Sequence, residues 1–215
     1  MIQKKWALLA MSSLSLVMVA CDDSENLEEM QEAATELDRI KNETVEELNQ
    51  LVETESQLQE QFTETMETDE DLTTFGDESA SVFENIETRR AVLSELEGKE
   101  EEMTAHQEVL ATYEGELLDQ AEIDAVISST DAFADHLTLY TDAYATTLDS
   151  QSEYFTFLST DEATYEEFVE GIETLNEERL ELRTELAELD EVIVEMDDSI
   201  AQLQSSIDEQ LTEEE

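Results

Sequence analysis

The chain has 215 residues, of which 60 are acidic and nine are Lys or Arg, for a formal net charge of −51 at pH 7. That balance excludes nucleic acid, whose binding needs basic patches, and it opposes electrostatic attachment to anionic lipids or anionic wall polymers unless cations bridge them. A single cysteine excludes an internal disulfide, and the absence of proline leaves nothing in the sequence that must break a helix.

The chain opens with a signal-like stretch. Lys4 and Lys5 precede an apolar run from Trp6 to Val19, too short and too early for an ordinary spanning helix. Met18-Val19-Ala20-Cys21 resembles a bacterial lipobox, with Met in the place usually held by Leu. On that resemblance residues 1–20 are a lipoprotein signal peptide and Cys21 is the lipidated first mature residue, with plain secretion or an uncleaved anchor as the alternatives. A diacylated cysteine carrying palmitate-type chains has two acyl anchors, enough for stable membrane attachment where one is marginal. Asp22 would favour inner-membrane retention in a Gram-negative host and is silent on sorting in a Gram-positive one. Both place the protein on the outer face of the cytoplasmic membrane. All 60 acidic residues follow the signal against seven basic ones, so the mature side chains carry seven minus sixty, or −53. This acidity fits a secreted surface adapted to high salt or an unusual external pH, with specific cation binding as the other reading.

Residues 21–26 form a short tether. Ser24 and Asn26 are candidate helix N-caps, and Asn26-x-x-Glu29 has capping-box spacing. From Leu27, apolar residues recur at three- and four-residue intervals: Leu27, Met30, Ala34, Leu37, Leu48, Leu51, Leu58 and Phe62. Lys41, Thr44 and Glu55 interrupt this stripe, which is narrow, as in coiled coils. The acidic run Glu67 to Asp71 predicts a break.

A second seam runs through Val82, Ile86, Leu93, Leu96, Met103, Leu110 and Leu117. Arg89 and Arg90 fall on or beside it and are expected to pair with carboxylates of a neighbouring helix; binding of an anionic ligand is the other reading. Gly98 lies within the segment and weakens it relative to Ala. Gly115 and Asp119 predict the next break. The third seam carries Ile123, Val126, Thr130, Phe133, Leu137, Tyr140, Tyr144, Thr147, Gln151, Tyr154 and Leu158. Aromatics at this spacing are core more often than a sugar-stacking surface. Ser159-x-x-Glu162 has capping-box spacing and predicts the last break. The fourth seam runs from Tyr165 and Phe168 through Ile172, Leu175, Arg179, Leu182 and Leu186 to Ile207, with only Arg179 not apolar.

Three short breaks between four segments predict an all-α fold: an elongated antiparallel helical bundle or coiled coil of about four long helices, residues 27–211, followed by an acidic tail, residues 212–215. Neither a catalytic nor a metal constellation stands out. His106 and His136 lack a metal-type partner spacing, and Asp69-x-Asp71 fails as a calcium loop, because Thr74 and Ala80 stand where its Gly and closing Glu belong. No cofactor and no enzymatic activity are expected.

Two blocks carry a family resemblance. Ser81 to Glu102 is one; Tyr140 to Asn176, with Tyr140-x-x-x-Tyr144, Tyr154, Leu158, Asp161-Glu162, Phe168, Ile172 and Asn176, is the other. With the lipobox and the chain length they resemble the YkyA-like cell-wall-binding lipoproteins of low-GC Gram-positive bacteria. The resemblance implies an envelope-associated role without catalytic residues. Its partners would be the membrane, through the lipid on Cys21, and peptidoglycan or an envelope protein. The chain is far poorer in Lys than such relatives, so wall contact is expected to use hydrogen bonding and aromatic stacking, with Tyr140, Tyr144 and Tyr154 as the first candidates, or bridging cations. The alternative is a membrane-tethered coiled-coil module that docks a protein partner or holds unfolded exported chains.

Overall fold

The computed structural model describes residues 26–213, which fold into helices joined by short turns, with no strand among the described residues. The signal segment, Cys21 and Ser24 lie outside the described residues. The first predicted segment is two helices, α1 (Leu27–Ser56) and α2 (Leu58–Thr68), offset at Gln57. Asn26 stands at the N-cap position in the left-handed region (φ 53°) with no side-chain cap bond, so the expected capping box does not form. A short turn of helix, α3 (Thr73–Gly76), follows the acidic break. Asp69 organises that break: its Oδ2 accepts from Thr74 N and Thr74 Oγ1, both at 2.7 Å. These bonds hold its carboxyl below the usual range.

The second segment is also split. Gly98 separates α4 (Ser81–Leu96) from α5 (Lys99–Ala111), rather than lying inside one helix. In the turn beyond α5, the buried Tyr113 hydroxyl accepts from Leu117 N at 3.1 Å and Leu118 N at 2.9 Å. That turn buries Leu118 and leaves Leu117, the expected seam residue, 38% exposed. Helix α6 (Gln120–Phe157) starts on an Asp119 cap, whose Oδ1 accepts from Ala121 N at 2.9 Å. Helix α7 (Tyr165–Glu213) starts on a capping box five residues later than the expected one at Ser159. Thr164 Oγ1 and Thr164 N both donate to Glu167 Oε2, at 2.8 and 2.9 Å, and Glu167 N donates back to Thr164 Oγ1. Ser159 instead closes α6, its Oγ donating to Thr156 O. Helix α7 runs on through Thr212 to Glu213, past the expected end at Leu211.

Cross-helix pairs fix an up-down-up-down bundle. Asn85–Thr54 and Lys99–Glu43 run α4 and α5 antiparallel to α1. Arg90–Asp149 and Gln107–Asp131 do the same against α6. Ser129–Ser199 and Gln202–Glu122 pair α6 with α7, and Gln31–Asp208 and Arg179–Glu55 bring α7 back beside α1. At 1.5 Å per residue α6 is about 57 Å long and α7 about 74 Å, so the molecule is a rod. Its core is a narrow file of Leu37, Ile40, Leu51, Ile86, Phe133, Leu189 and Ile200 with their neighbours, all buried. Each such side chain contributes about 1.5–3 kcal/mol by leaving water.

The polar interruptions of the seams are accommodated locally. Thr44 and Thr130, both buried, donate to the carbonyls one turn back, Ile40 O at 2.9 Å and Val126 O at 2.8 Å. Lys41 buries its stem and reaches out to Asp38 on its own helix and Asp197 on α7. No described helix is long and apolar enough to cross a membrane.

Candidate binding cleft

Among the described residues Arg89 is the largest side chain that is wholly buried. It projects from α4 towards α6, where Tyr144 and Gln151, two turns apart, share one face. Its Nη2 donates to Gln151 Oε1 at 2.7 Å and its Nη1 to the Tyr144 hydroxyl at 3.4 Å. The guanidinium carbon lies 5.8 Å from the Tyr144 ring centre, within cation–π range. No carboxylate forms an ion pair with it among the described residues, and its buried Nε has no hydrogen-bond partner. The expected ion pair is made only by Arg90, with Asp149 at 2.6 Å.

The negative charge nearest in bonding terms is relayed. The Tyr144 hydroxyl donates to Glu55 Oε2 at 3.1 Å, and Glu55 Oε1 forms an ion pair with Arg179 Nε at 3.0 Å. Gln151, Arg89, Tyr144, Glu55 and Arg179 thus form one chain of polar contacts across α6, α4, α1 and α7. Burial raises the Tyr144 hydroxyl pKa; Arg89 opposes that shift and Glu55 adds to it. Tyr140, in ring contact with Tyr144, is raised in the same direction by burial.

Beside this chain a cleft of about 420 Å³ opens between α2 and the first half of α7. Phe62 of α2 stands 5.5 Å from the ring of Phe155, buried on α6, and 6.5 Å from that of Phe168 on α7. Gln151, Asn176, Glu55 and Arg179 supply polar lining. The cleft exists because the two helices diverge: no residue of α7 before Leu182 is buried. Tyr165, placed on the apolar seam by its spacing, is 83% exposed, because α7 begins beyond the reach of any partner helix there.

The lining is electrically unlike the rest of the surface. Glu55 is its lone carboxylate and Arg179 its lone cation, and they are paired. Another surface hollow, along α5, is lined by Glu97, Glu100, Glu101 and Glu108. Among the described residues no three His, Cys, Asp or Glu side chains converge as a metal site.

Of the seam tyrosines, Tyr140 and Tyr144 take the core positions that their spacing favours over a stacking surface. Cys21 lies outside the described residues. Tyr140 and Tyr144 are buried, so neither offers a ring for stacking from outside. Tyr154 is half-buried and donates to Phe168 O at 2.9 Å. The aromatic faces that line an opening are Phe62, Phe155 and Phe168 instead. Gln151 carried a readable signal: it is a polar residue on an otherwise apolar and Thr-containing seam. Phe155 carried none, because its burial depends on where α2 and α7 separate.

Residues 25–206 match the model of the family YkyA, described as "Putative cell-wall binding lipoprotein". No curated protein and no solved structure matches the chain.

Proposed function

From the premise that the chain belongs to the YkyA family, we propose that it is a lipid-anchored rod that contacts the cell wall with its far end and catalyses no reaction. Its anchor is Cys21, on the outer face of the cytoplasmic membrane. The observation that carries this reading is the placement of the cleft. Asn26 precedes α1 at one end of the bundle, where Gln31 meets Asp208 near the end of α7. Glu55, at the other end of α1, lines the cleft. Twenty-nine residues of helix separate them, a rise of about 44 Å. With only five residues between Cys21 and α1, the lipid anchors one end and the cleft faces away from the membrane.

The test is co-sedimentation of the chain from Asp22 onward with purified peptidoglycan, with and without teichoic acid, at low and high salt. Saturable binding that survives high salt and ignores teichoic acid is expected. Failure to sediment under any condition sinks the wall reading. For the anchor, Cys21→Ala should move the protein from the membrane fraction to the medium or the soluble envelope fraction.

A second reading draws on Tyr165, Val169 and Leu180, exposed apolar residues on α7 flanking the cleft. They suit an envelope protein that docks along α7. Crosslinking on intact cells that yields one defined protein partner would favour it over the wall.

A further inference from the structure

Resting on the wall-contact reading, we infer that the cleft between α2 and the first half of α7 binds an uncharged N-acetylated amino sugar, with the Gln151 amide recognising the acetamido carbonyl. Electrostatics eliminates charged ligands first. An anionic polymer would approach through the field of 60 carboxylates and find one cation in the lining, Arg179, already bound to Glu55. A cation would find in the cleft a single carboxylate whose two oxygens are already engaged by Tyr144 and Arg179. A neutral ligand meets neither obstacle.

The orientation of Gln151 then specifies the polar contact. A guanidinium can only donate, so the side-chain oxygen of Gln151 must face Arg89, and its NH2 must face the other way. Gln151 is buried to 5% exposure and lines the cleft, and its amide nitrogen makes no hydrogen bond to any described residue. Arg89 is a positioning residue: it fixes the Gln151 amide in one orientation, so that a donor beside three phenyl rings is left for a ligand carbonyl. An acetamido group fits that pairing, with its carbonyl on the amide and its methyl and the apolar face of the sugar ring against Phe62 and Phe155. The volume lies in the ordinary range for small-molecule sites, about 300–1,000 Å³. A sugar with a hydroxyl in place of the acetamido group fills the cleft less well and offers the amide a poorer acceptor, so discrimination should reach about ten-fold or more.

The experiment titrates the chain from Asp22 onward with chitotetraose and with cellotetraose, which differ in the acetamido group. The expected result is saturable chitotetraose binding that is insensitive to salt, with cellotetraose at least about ten-fold weaker. The variant Gln151→Glu gives Arg89 a carboxylate partner and removes the NH2 donor. It should keep or raise the unfolding midpoint while weakening chitotetraose at least about ten-fold. Phe62→Leu, at a half-buried position, should weaken binding in a fold that stays intact. Equal affinity for the two sugars, or Gln151→Glu binding like the parent, overturns the assignment. If both the parent and Gln151→Glu sediment equally with peptidoglycan, the wall reading stands and the cleft assignment falls. If peptidoglycan is not bound at all, the wall reading falls and the chitotetraose titration still decides the cleft.

Discussion

Tyr154 occupies the space that a side chain at Gly171 would need: a methyl group there would sit 2.0 Å from Tyr154 Cε2. The Tyr154 hydroxyl also donates to Phe168 O at 2.9 Å, so one tyrosine of α6 ties down the first half of α7. This contact sets the cleft wall. Gly171→Ala should therefore destabilise the fold by about 1–3 kcal/mol through overpacking, even though alanine is the better helix former. Gly98 is the control. A methyl group there meets only Glu95 O, at 3.6 Å, and the backbone is already right-handed. Gly98→Ala should stabilise by up to about 1 kcal/mol. Urea denaturation of the two variants reads both effects, and two shifts of the same sign would show that Tyr154 moves aside at little cost.

Arg89 is a buried charge held by neutral partners, and that makes a second test. Arg89→Ala removes the side chain, leaves a hole, and strands Gln151 Oε1, while the Tyr144 hydroxyl keeps its bond to Glu55; a loss of about 3–5 kcal/mol is expected. Arg89→Met fills much of the same volume and removes the desolvation cost of the charge, so its loss should be clearly smaller. A methionine variant as unstable as the alanine variant would mean that the polar chain through Glu55, rather than packing, sets the stability of this layer.

The bundle was legible because its signal is local and periodic. A stripe such as Leu182, Leu189, Met196 and Leu203 repeats with the helix, and burial follows it directly. Breaks were legible only to within about five residues, because their chemistry is redundant. Ser159-x-x-Glu162 and Thr164-x-x-Glu167 have the same spacing, and the choice between them depends on where α6 ends against Gly76. A side chain at Gly76 would stand 2.9 Å from Ser159 Oγ. The cleft was not legible, since it is made by α2 and α7 parting, and no repeat within one helix encodes a separation between two. Arg89 was visible as an oddity on the seam, but its partner Gln151 is 62 positions away and neutral, so no charge pattern pointed to it.

The cap gives a direct check of that redundancy. Thr164→Ala removes the hydroxyl that accepts from Glu167 N and donates to Glu167 Oε2, leaving only the Thr164 N bond of the box, and should cost about 1 kcal/mol. Ser159→Ala removes a bond to a carbonyl at the end of α6 and should cost less. Thermal unfolding of the pair distinguishes the two assignments of the α7 start, and a larger loss at Ser159 would return the cap to the earlier position.

Titration should expose the core from the alkaline side. Burial pushes the Tyr154 hydroxyl up to about 12 and raises Tyr140 and Tyr144 further. Burial alone would lower Lys41, but its bonds to Asp197 and Asp38 outweigh that and raise it; Lys99 is raised in the same way by Glu43 and Glu47. All five groups hold their protons more tightly folded than unfolded. Their contributions are complete below the unfolded values, about 10, and are lost as pH rises through the folded ones. Stability should therefore decline from about pH 10 upward, and the phenolate absorbance of the buried tyrosines should grow in step with loss of helical circular dichroism. Phenolate formation at Tyr140 and Tyr144 in a fully helical chain would contradict the burial described here.

Salt acts on two opposed sets of charges, and the larger set decides. Attraction across helices comes from a few pairs: Lys41–Asp197, Lys99–Glu43, Lys99–Glu47, Arg39–Glu102, Arg90–Asp149 and Arg179–Glu55. An exposed pair is worth about 0–1 kcal/mol, and Lys41 and Lys99 are screened less because their side chains are largely buried. Repulsion comes from 60 carboxylates on a rod whose core is only one file of side chains deep, so most of them face solvent and feel added ions directly. The screening length shrinks from about 10 Å at 0.1 M to about 3 Å at 1 M, shorter than the spacing between neighbouring helices. Repulsion between helices is then nearly removed while the buried pairs persist, and the midpoint of thermal unfolding should climb across that range. Sodium chloride is the suitable salt, because sulfate or phosphate would strengthen apolar burial as well. A flat or falling midpoint would show that the few basic residues stabilise the bundle more than the surrounding acidity strains it, which would make Lys41 and Lys99 the first residues to replace.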